Sequence, residues 1–483
     1  MARLRILNVV SECVPFAKTG GLADVAGALP MALAARGHDV RVVMPRYRIT
    51  KKHPAQKLPL SLGVPVGHGE AWGAAYEAKL GESDARVYLL EHDELFDRPG
   101  VYNDSNGDYR DNLARFTFLS RGALRLANAL EFAPDIVHVH DWPACLVPIY
   151  MKSLEAHTPV GKAASVLTIH NMGYQGYFSK NELYQTCLGW EYFHHRLLES
   201  HDRINLLKGG IYASSVVSTV SPKYAREIQT REGAYGLEGV LADRGGGVIG
   251  ILNGIDDEIW NPATDKHLPA HFDAEDLRGK AVCKAELQKE MGLPVRPDVP
   301  LVGLISRLVE QKGIDIFAGA LSHLLSRDIQ FVVLGSGERW AEDAFSKLAH
   351  QSDRFKAHLG MNDALAHKIE AGADLFVMPS RYEPCGLNQL YSQRYGTLPV
   401  VRAVGGLDDT VEHMATGFKF DELTPIALAM TLLEATFIYR YHADHFRSMQ
   451  RRAMQKPFGW DHASRQYEAM YRLAISRHRG EPV

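Results

Sequence analysis

The stretch Lys18-Thr19-Gly20-Gly21-Leu22-Ala23-Asp24-Val25 sets a mobile cation and a glycine pair between two patterned runs. Before it lies a short apolar run, Leu4 to Val10; after it comes an amphipathic one, Ala23 to Ala35. A strand-to-helix turn of this kind offers a phosphate the lysine charge, closely approaching glycine backbone and the unpaired N–H groups of a helix start. A tight glycine turn with a solvated lysine is the other reading of the same residues. Far along the chain, Arg307 and Lys312 again follow a strand-like run, Leu301 to Ile305, and precede a helical one, Ile314 to Leu325. Two cationic turns at strand ends suit two lobes that take one phosphorylated ligand. For Arg307 and Lys312 alone, a solvated charged loop is the alternative.

Asp141 and His170 each follow a strand-like run, Ile136–Val139 and Val166–Ile169, where open α/β sheets receive their ligands. Asp141 can accept from sugar hydroxyls, and Trp142 beside it offers an apolar face. A capped turn with a core tryptophan fits equally, as does a structural role for His170. Glu383 stands in Pro379-Ser380-Arg381-Tyr382-Glu383-Pro384-Cys385-Gly386, just past the run Leu375–Met378. Pro384 fixes the backbone after it, and Gly386 is expected to open a helix whose start favours negative charge. A glutamate there can bind sugar hydroxyls and offset positive charge at an anomeric carbon; Cys385 reads as packing. A second acid at matching spacing is missing, so paired-carboxylate glycoside hydrolysis is not the natural reading. Asn253, in Leu252-Asn253-Gly254, carries a turn signal. Gly335-Ser336-Gly337 lacks the third glycine of a dinucleotide fingerprint and has no Walker lysine after it, which disfavours NAD and ATP.

The elements that must hold these residues alternate throughout: short apolar runs and helical stretches, the mark of parallel sheets built from βαβ units. In the first half the runs are Leu4–Val10, Val40–Met44, Arg86–Leu90, Ile136–Val139, Val166–Ile169 and Val216–Val220, with Val248–Leu252 closing the series. Residues 254–300, rich in Asp, Pro, Lys and His, read as a domain connection, which puts a boundary near 250–260. The alternation resumes with Leu301–Ile305, Ile329–Leu334, Leu375–Met378 and Val400–Val401. Near the end, Asp461 can cap a helix whose Tyr467, Met470, Tyr471 and Ala474 form one apolar stripe, followed by a charged, mobile tail from Ser476 to Val483.

With 483 residues the chain has room for two large domains, and 46% hydrophobic with 23% charged residues is ordinary for a globular protein. A formal net charge of −3 gives no general draw to nucleic acid or anionic membrane. Five scattered cysteines without CxxC spacing point to reduced thiols and no zinc site. Asn8, Ser11 and Glu12 interrupt the first apolar run before it reaches signal-peptide length, and no run is long enough to span a bilayer. The first core strand begins so early that a transit peptide is not expected. A cytoplasmic protein is expected.

The motifs KTGGLADV, HVHDWPA (138–144), TIHNMGYQG (168–176), LNGID (252–256), SRLVEQKG (306–313), PSRYEPCGLNQL (379–390) and GGLDDT (405–410) occur in that order. This ordered set resembles the bacterial glycogen synthases and plant starch synthases, retaining glucosyltransferases, across essentially the whole chain. The resemblance implies an α/β fold of two Rossmann-like domains facing a deep cleft, the GT-B architecture. It implies an N-terminal domain on the glucan acceptor side (1–253), a nucleotide-sugar domain (254–458) and a C-terminal helix crossing back to the first domain (459–483). The implied reaction moves glucose from ADP-glucose to the non-reducing end of an α-1,4-glucan such as glycogen, with no cofactor and no metal.

By resemblance the site comprises Asp141, His170, Arg307, Lys312 and Glu383 for catalysis, the His170 carbonyl lying near the reacting carbon. Lys18, Gly20, Gly21, Asp24, Asn253, Gly386, Gly405 and Gly406 are then the nucleotide-sugar residues, the two glycine pairs giving helix starts to the leaving diphosphate. Val404 and Met361 depart from the family pattern, which has a threonine and an adenine-stacking aromatic there. Rivals are a relative using UDP-glucose or another acceptor, a catalytically silent glucan-binding relative, and a phosphorylase needing lysine-bound pyridoxal phosphate. The intact Lys18, Arg307, Lys312 and Glu383 argue against a silent relative.

Overall fold

The structure, a computed structural model, describes residues 3–481. The chain divides into two compact units: residues up to 220 with 225–251 and 460 onward, and residues 221–224 with 252–459. In the first unit nine strands form one sheet: β1 (Arg5–Val9), β2 (Asp39–Pro45), β3 (Gln56–Val66), β4 (Gly69–Lys79), β5 (Arg86–Glu91), β6 (Ile136–His140), β7 (Ala164–Ile169), β8 (Val216–Thr219) and β9 (Ile249–Gly250). Their order is β9-β8-β7-β6-β1-β2-β5-β4-β3. Every pairing is parallel except at the edge, where β4 runs antiparallel to both β3 and β5. The β3–β4 hairpin was not expected from the sequence; its strands are half-exposed and their alternation is weak.

The second unit carries β10 (Leu301–Ile305), β11 (Gln330–Gly335), β12 (Phe355–Leu359), β13 (Leu375–Met378), β14 (Leu398–Arg402) and β15 (Phe418–Phe420), all parallel, in the order β12-β11-β10-β13-β14-β15. Successive strand residues serve opposite faces, as the two-residue period requires. Val302, Leu304, Phe331, Val333, Leu375 and Val377 enter one core with Phe317 and Leu428. Leu301, Val332, Leu334, Phe376 and Met378 enter the other with Leu287, Leu365 and Ile369. Within the segment read as a plain connection lies a helix, Arg278–Glu290. Its buried face includes two whole lysine side chains, Lys280 with Nζ on the Ala371 carbonyl and Lys284 with Nζ on the Val299 carbonyl and Asp374, which hides it from a hydrophobic pattern.

In both sheets the chain starts in the middle, fills one side and then returns to build the other. The reversal falls between β1 and β6 in the first unit and between β10 and β13 in the second. Loops leaving neighbouring strands at such a reversal diverge and leave a crevice at the carboxyl ends. The helix Trp460–Arg479 buries Tyr467, Met470, Tyr471 and Ala474 within the first unit, against helix Gly21–Ala35 and the strands β6, β7 and β8. It runs on through Arg479, so Ser476 to Arg479 are helical and not a loose tail; residues 482–483 lie outside the described part.

Candidate active site

In the second unit the loops after β10 and β13 meet at the reversal point. The first carries Arg307 and Lys312, the second Glu383 and Gly386, and all four line one cavity of about 190 Å³ with Ser306, Ser380 and Asn388. Glu383 is buried, yet its Oε2 accepts from Lys312 Nζ at 2.5 Å and from Ser380 Oγ at 3.1 Å. A buried carboxylate is tolerable only with such partners. Arg307 stays exposed, touching Gln311 Oε1 at 3.4 Å.

Residues not singled out in the sequence lace the two loops together. The Arg381 guanidinium grips Asp315 bidentately at 2.7 and 2.8 Å, and its backbone N–H donates to the Gln311 carbonyl. Gly313 is left-handed at φ +67°, and a Cβ there would lie 1.9 Å from the Pro379 oxygen. Only glycine lets the loops approach this closely.

Gly405 and Gly406 open the helix Gly405–Thr410, as expected, and have a second part as well. A Cβ on Gly405 would lie 1.9 Å from the Glu383 carbonyl oxygen, and the Gly406 N–H donates to that oxygen and to Pro384 O. The glycine pair thus braces the backbone of Glu383. Gly386 is left-handed at φ +74°, and the following helix begins only at Asn388. Asn253, in the same unit, is buried, with Oδ1 lacking a partner among the described residues, while its N–H approaches the Cys385 thiol. Burial pushes that thiol up to about 12, so Cys385 is packing and no nucleophile. Met361, after β12, is 95% exposed. A larger cavity of about 490 Å³ among Asp298, Asp328, Asp374 and Arg440 opens at the opposite, amino-terminal ends of the strands, where parallel sheets do not bind their ligands.

In the first unit the loops after β1 and β6 flank the reversal point. Lys18 is exposed and paired with Asp24 at 2.7 Å, so Asp24 serves here as the lysine's partner. The glycines leave open space: a Cβ on Gly20 or Gly21 would meet nothing within 4 Å. The loop donors are nevertheless engaged. Glu12 accepts from the Thr19 N–H, from Gly20 N–H at 3.2 Å, from the Thr19 hydroxyl at 2.8 Å and from Tyr102 Oη at 3.0 Å. Burial raises the Glu12 carboxyl, and these donors oppose the rise.

Asp141, at φ +53°, turns its Oδ1 onto the N–H groups of His170 (2.7 Å) and Asn171 (3.4 Å). Burial pushes its carboxyl up to about 7 despite those donors, with Glu12 adding to the rise. The His170 ring meets His140 Nδ1 at 2.9 Å, and His138 spans Tyr471 Oη (2.9 Å) and Thr168 Oγ1 (2.6 Å). Burial holds His170 and His138 down to about 3 and, with the neighbouring histidines, lowers His140 well below its ordinary value, so all three are neutral. His170 can therefore hydrogen-bond a hydroxyl but has no proton to give as an acid near neutrality. Trp142 is taken up by Phe116, Tyr102 and Phe178, the aromatic-core reading. The signal for His138 and His140 was present: on a strand, residues two apart share a face.

A starch synthase catalytic domain model matches residues 5–243, and a glycosyl transferases group 1 model matches residues 289–436. Glycogen synthase 1 of Geobacter metallireducens is 46% identical over 100% of this chain and 98% of its own length. Glycogen synthase of Anaeromyxobacter sp. (strain Fw109-5) is 48% identical over 97% of this chain and 99% of its own. The solved catalytic domain of starch synthase IV from Arabidopsis thaliana, bound to ADP and acarbose, superposes with a TM-score of 0.91 at 33% identity, covering 98% of this chain and 100% of that one. Sucrose-phosphate synthase from Thermosynechococcus elongatus shares the fold, with a TM-score of 0.60 at 18% identity, covering 98% of this chain and 100% of its own.

Proposed function

We propose, because this chain belongs to the glycogen synthase family, that it transfers glucose from ADP-glucose to the non-reducing end of an α-1,4-glucan with retention of configuration. The observation that carries this reading is the Lys312–Glu383 pair beside Arg307 in one cavity at the β10/β13 reversal. Cations and a carboxylate in contact suit a substrate whose leaving group is anionic and whose sugar carbon turns positive. Arg307 and Lys312 bind the diphosphate and stabilise the charge it gains as the glycosidic bond breaks. Glu383 holds sugar hydroxyls and counters the positive anomeric carbon. Retention follows when the departing phosphate oxygen takes the proton of the acceptor hydroxyl on the same face. We assign the acceptor side to residues 1–253, the donor side to 254–458 and the terminal helix to 459–483. The neutral His170 and Asp141 contact the transferred sugar, and Lys18 assists the leaving group.

The choice of ADP-glucose is supported by the Arabidopsis neighbour, which holds ADP. A cytoplasmic location is supported by five free thiols, and among the described residues no helix is long and apolar enough to cross a membrane. A donor panel tests the reading: purified chain, glycogen primer, ADP-glucose or UDP-glucose, and nucleotide release as the readout. The expected result is a higher kcat/KM with ADP-glucose. A preference for UDP-glucose would shift the donor assignment, and release with neither would make the chain a glucan-binding relative.

A further inference from the structure

Away from that cavity, in the second unit, three side chains with metal-ligand chemistry converge: His267, Asp363 and His367 each offer one ligand atom within 4.8 Å of the others. Asp363 and His367 are four apart at the start of helix Asp363–Gly372, hence on one face. His267 comes from the irregular segment before helix Arg278–Glu290. We propose that they bind a first-row divalent cation, Zn²⁺ foremost, which ties that segment to the helix. Such a site departs from the metal-free expectation drawn from the sequence.

The surroundings prepare the ligands independently of the cluster itself. His367 is buried, and its ring lies flat on Trp260 at 3.9 Å and 5°. Its Nδ1 sits 2.7 Å from Asp265 Oδ2, which also accepts from the Tyr395 hydroxyl at 2.6 Å. Asp265 Oδ1 accepts the backbone N–H of His267 at 2.9 Å. With donors on both oxygens, Asp265 acts as an acceptor, so Nδ1 of His367 carries the proton and Nε2 keeps its lone pair for a metal. A carboxylate fixing the far nitrogen is the usual outer support of a metal-bound histidine. Here one carboxylate steadies both histidines.

Two imidazoles and a carboxylate suit zinc, with water completing a tetrahedral set. Bonds of about 2.0–2.1 Å set tetrahedral ligand atoms roughly 3.3 Å apart, and the exposed Asp363 side chain is able to close the difference. A surface cavity of about 270 Å³, with Glu286, Glu290 and Lys368 on its wall, opens beside His267 and gives it access to solvent.

The test uses the full chain without a tag, stripped with chelator and titrated with Zn²⁺ by calorimetry and with Co²⁺ by visible absorption. One equivalent should bind at micromolar affinity or tighter, with d–d bands of a low-symmetry Co²⁺ site and a rise in Tm. His267→Ala and Asp363→Ala, both outside the core, should each weaken binding at least about tenfold and abolish the Tm rise. Asp265→Asn should weaken it about 10- to 100-fold. Absence of binding at 100-fold excess over protein, or equal affinity in the double variant His267→Ala/Asp363→Ala, overturns the proposal.

Discussion

Lys312 and Glu383 are each other's counterion, which makes the proposed donor site a balance of charges. On that proposal a diphosphate would compete with Glu383 for the ammonium. Glu383→Gln is therefore expected to leave ADP affinity equal or tighter while kcat falls by about 10²-fold or more, since the charge matters most in the transition state. Calorimetry with ADP beside steady-state rates decides it, and unchanged turnover would remove Glu383 from the chemistry. Asp141 poses a second residue-scale question. Its carboxyl titrates near 7 when folded and near 3.9 when unfolded, so the folded protein binds the extra proton between those values. Stability supported below about pH 4 is accordingly lost as pH rises to 7, by up to about 4 kcal/mol. Asp141→Asn keeps an acceptor for the His170 N–H without this penalty. The Tm of the variant relative to the parent should rise from pH 5 to pH 8; parallel curves would show that Asp141 is not buried as a carboxyl.

Among the elements, the helix Trp460–Arg479 is held by a buried charge as well as by its tyrosines. Glu468 accepts from Arg36 at 2.8 and 2.9 Å and lies 2.8 Å from His38 Nε2. Arg36 foremost, with His38, holds the Glu468 carboxyl down to about 2 against burial. A depressed carboxyl stabilises fully above its unfolded pKa of about 4.3 and loses that contribution as pH falls toward 2. Glu468→Gln is expected to lower stability at pH 7 by up to about 3 kcal/mol, and thermal melts should show the gap closing between about pH 4.5 and pH 2. A gap independent of pH would assign the loss to packing. At the loop pair 306–313 and 379–387, Gly313, Gly405 and the Arg381–Asp315 fork set the position of the backbone that carries Glu383.

For the whole molecule, Arg307 and Lys312 belong to one unit and Lys18 to the other. The first two line a formed cavity, whereas Lys18 is exposed and engaged by Asp24. ADP affinity should therefore reside with Arg307 and Lys312. Alanine at either is expected to weaken ADP binding by about 1.5–3 kcal/mol and to slow turnover. Lys18→Ala should lower kcat with ADP-glucose and leave ADP affinity much less changed. Equal loss of ADP affinity at Lys18 and Lys312 would contradict this division, and an unaltered rate at Lys18 would exclude it from the reaction.

Which residues stand at strand ends was legible from local pattern alone. Apolar runs mark parallel strands, and Asp141, His170, Arg307, Lys312 and Glu383 follow such runs directly. The ordered motifs also carried the family. What faces what was settled only in three dimensions. Local sequence sets dihedral preference and burial period, but not the order of strands in a sheet, and that order puts the loops after β10 and β13 side by side. The Lys312–Glu383 pair and the meeting of His140 with His170 follow from it. Gly405 and Gly406 read locally as a helix start, which they are; the approach of the Glu383 carbonyl, a second task, was not legible. His267 and His367 were invisible as partners for the same reason: folding brings together what sequence spacing holds far apart.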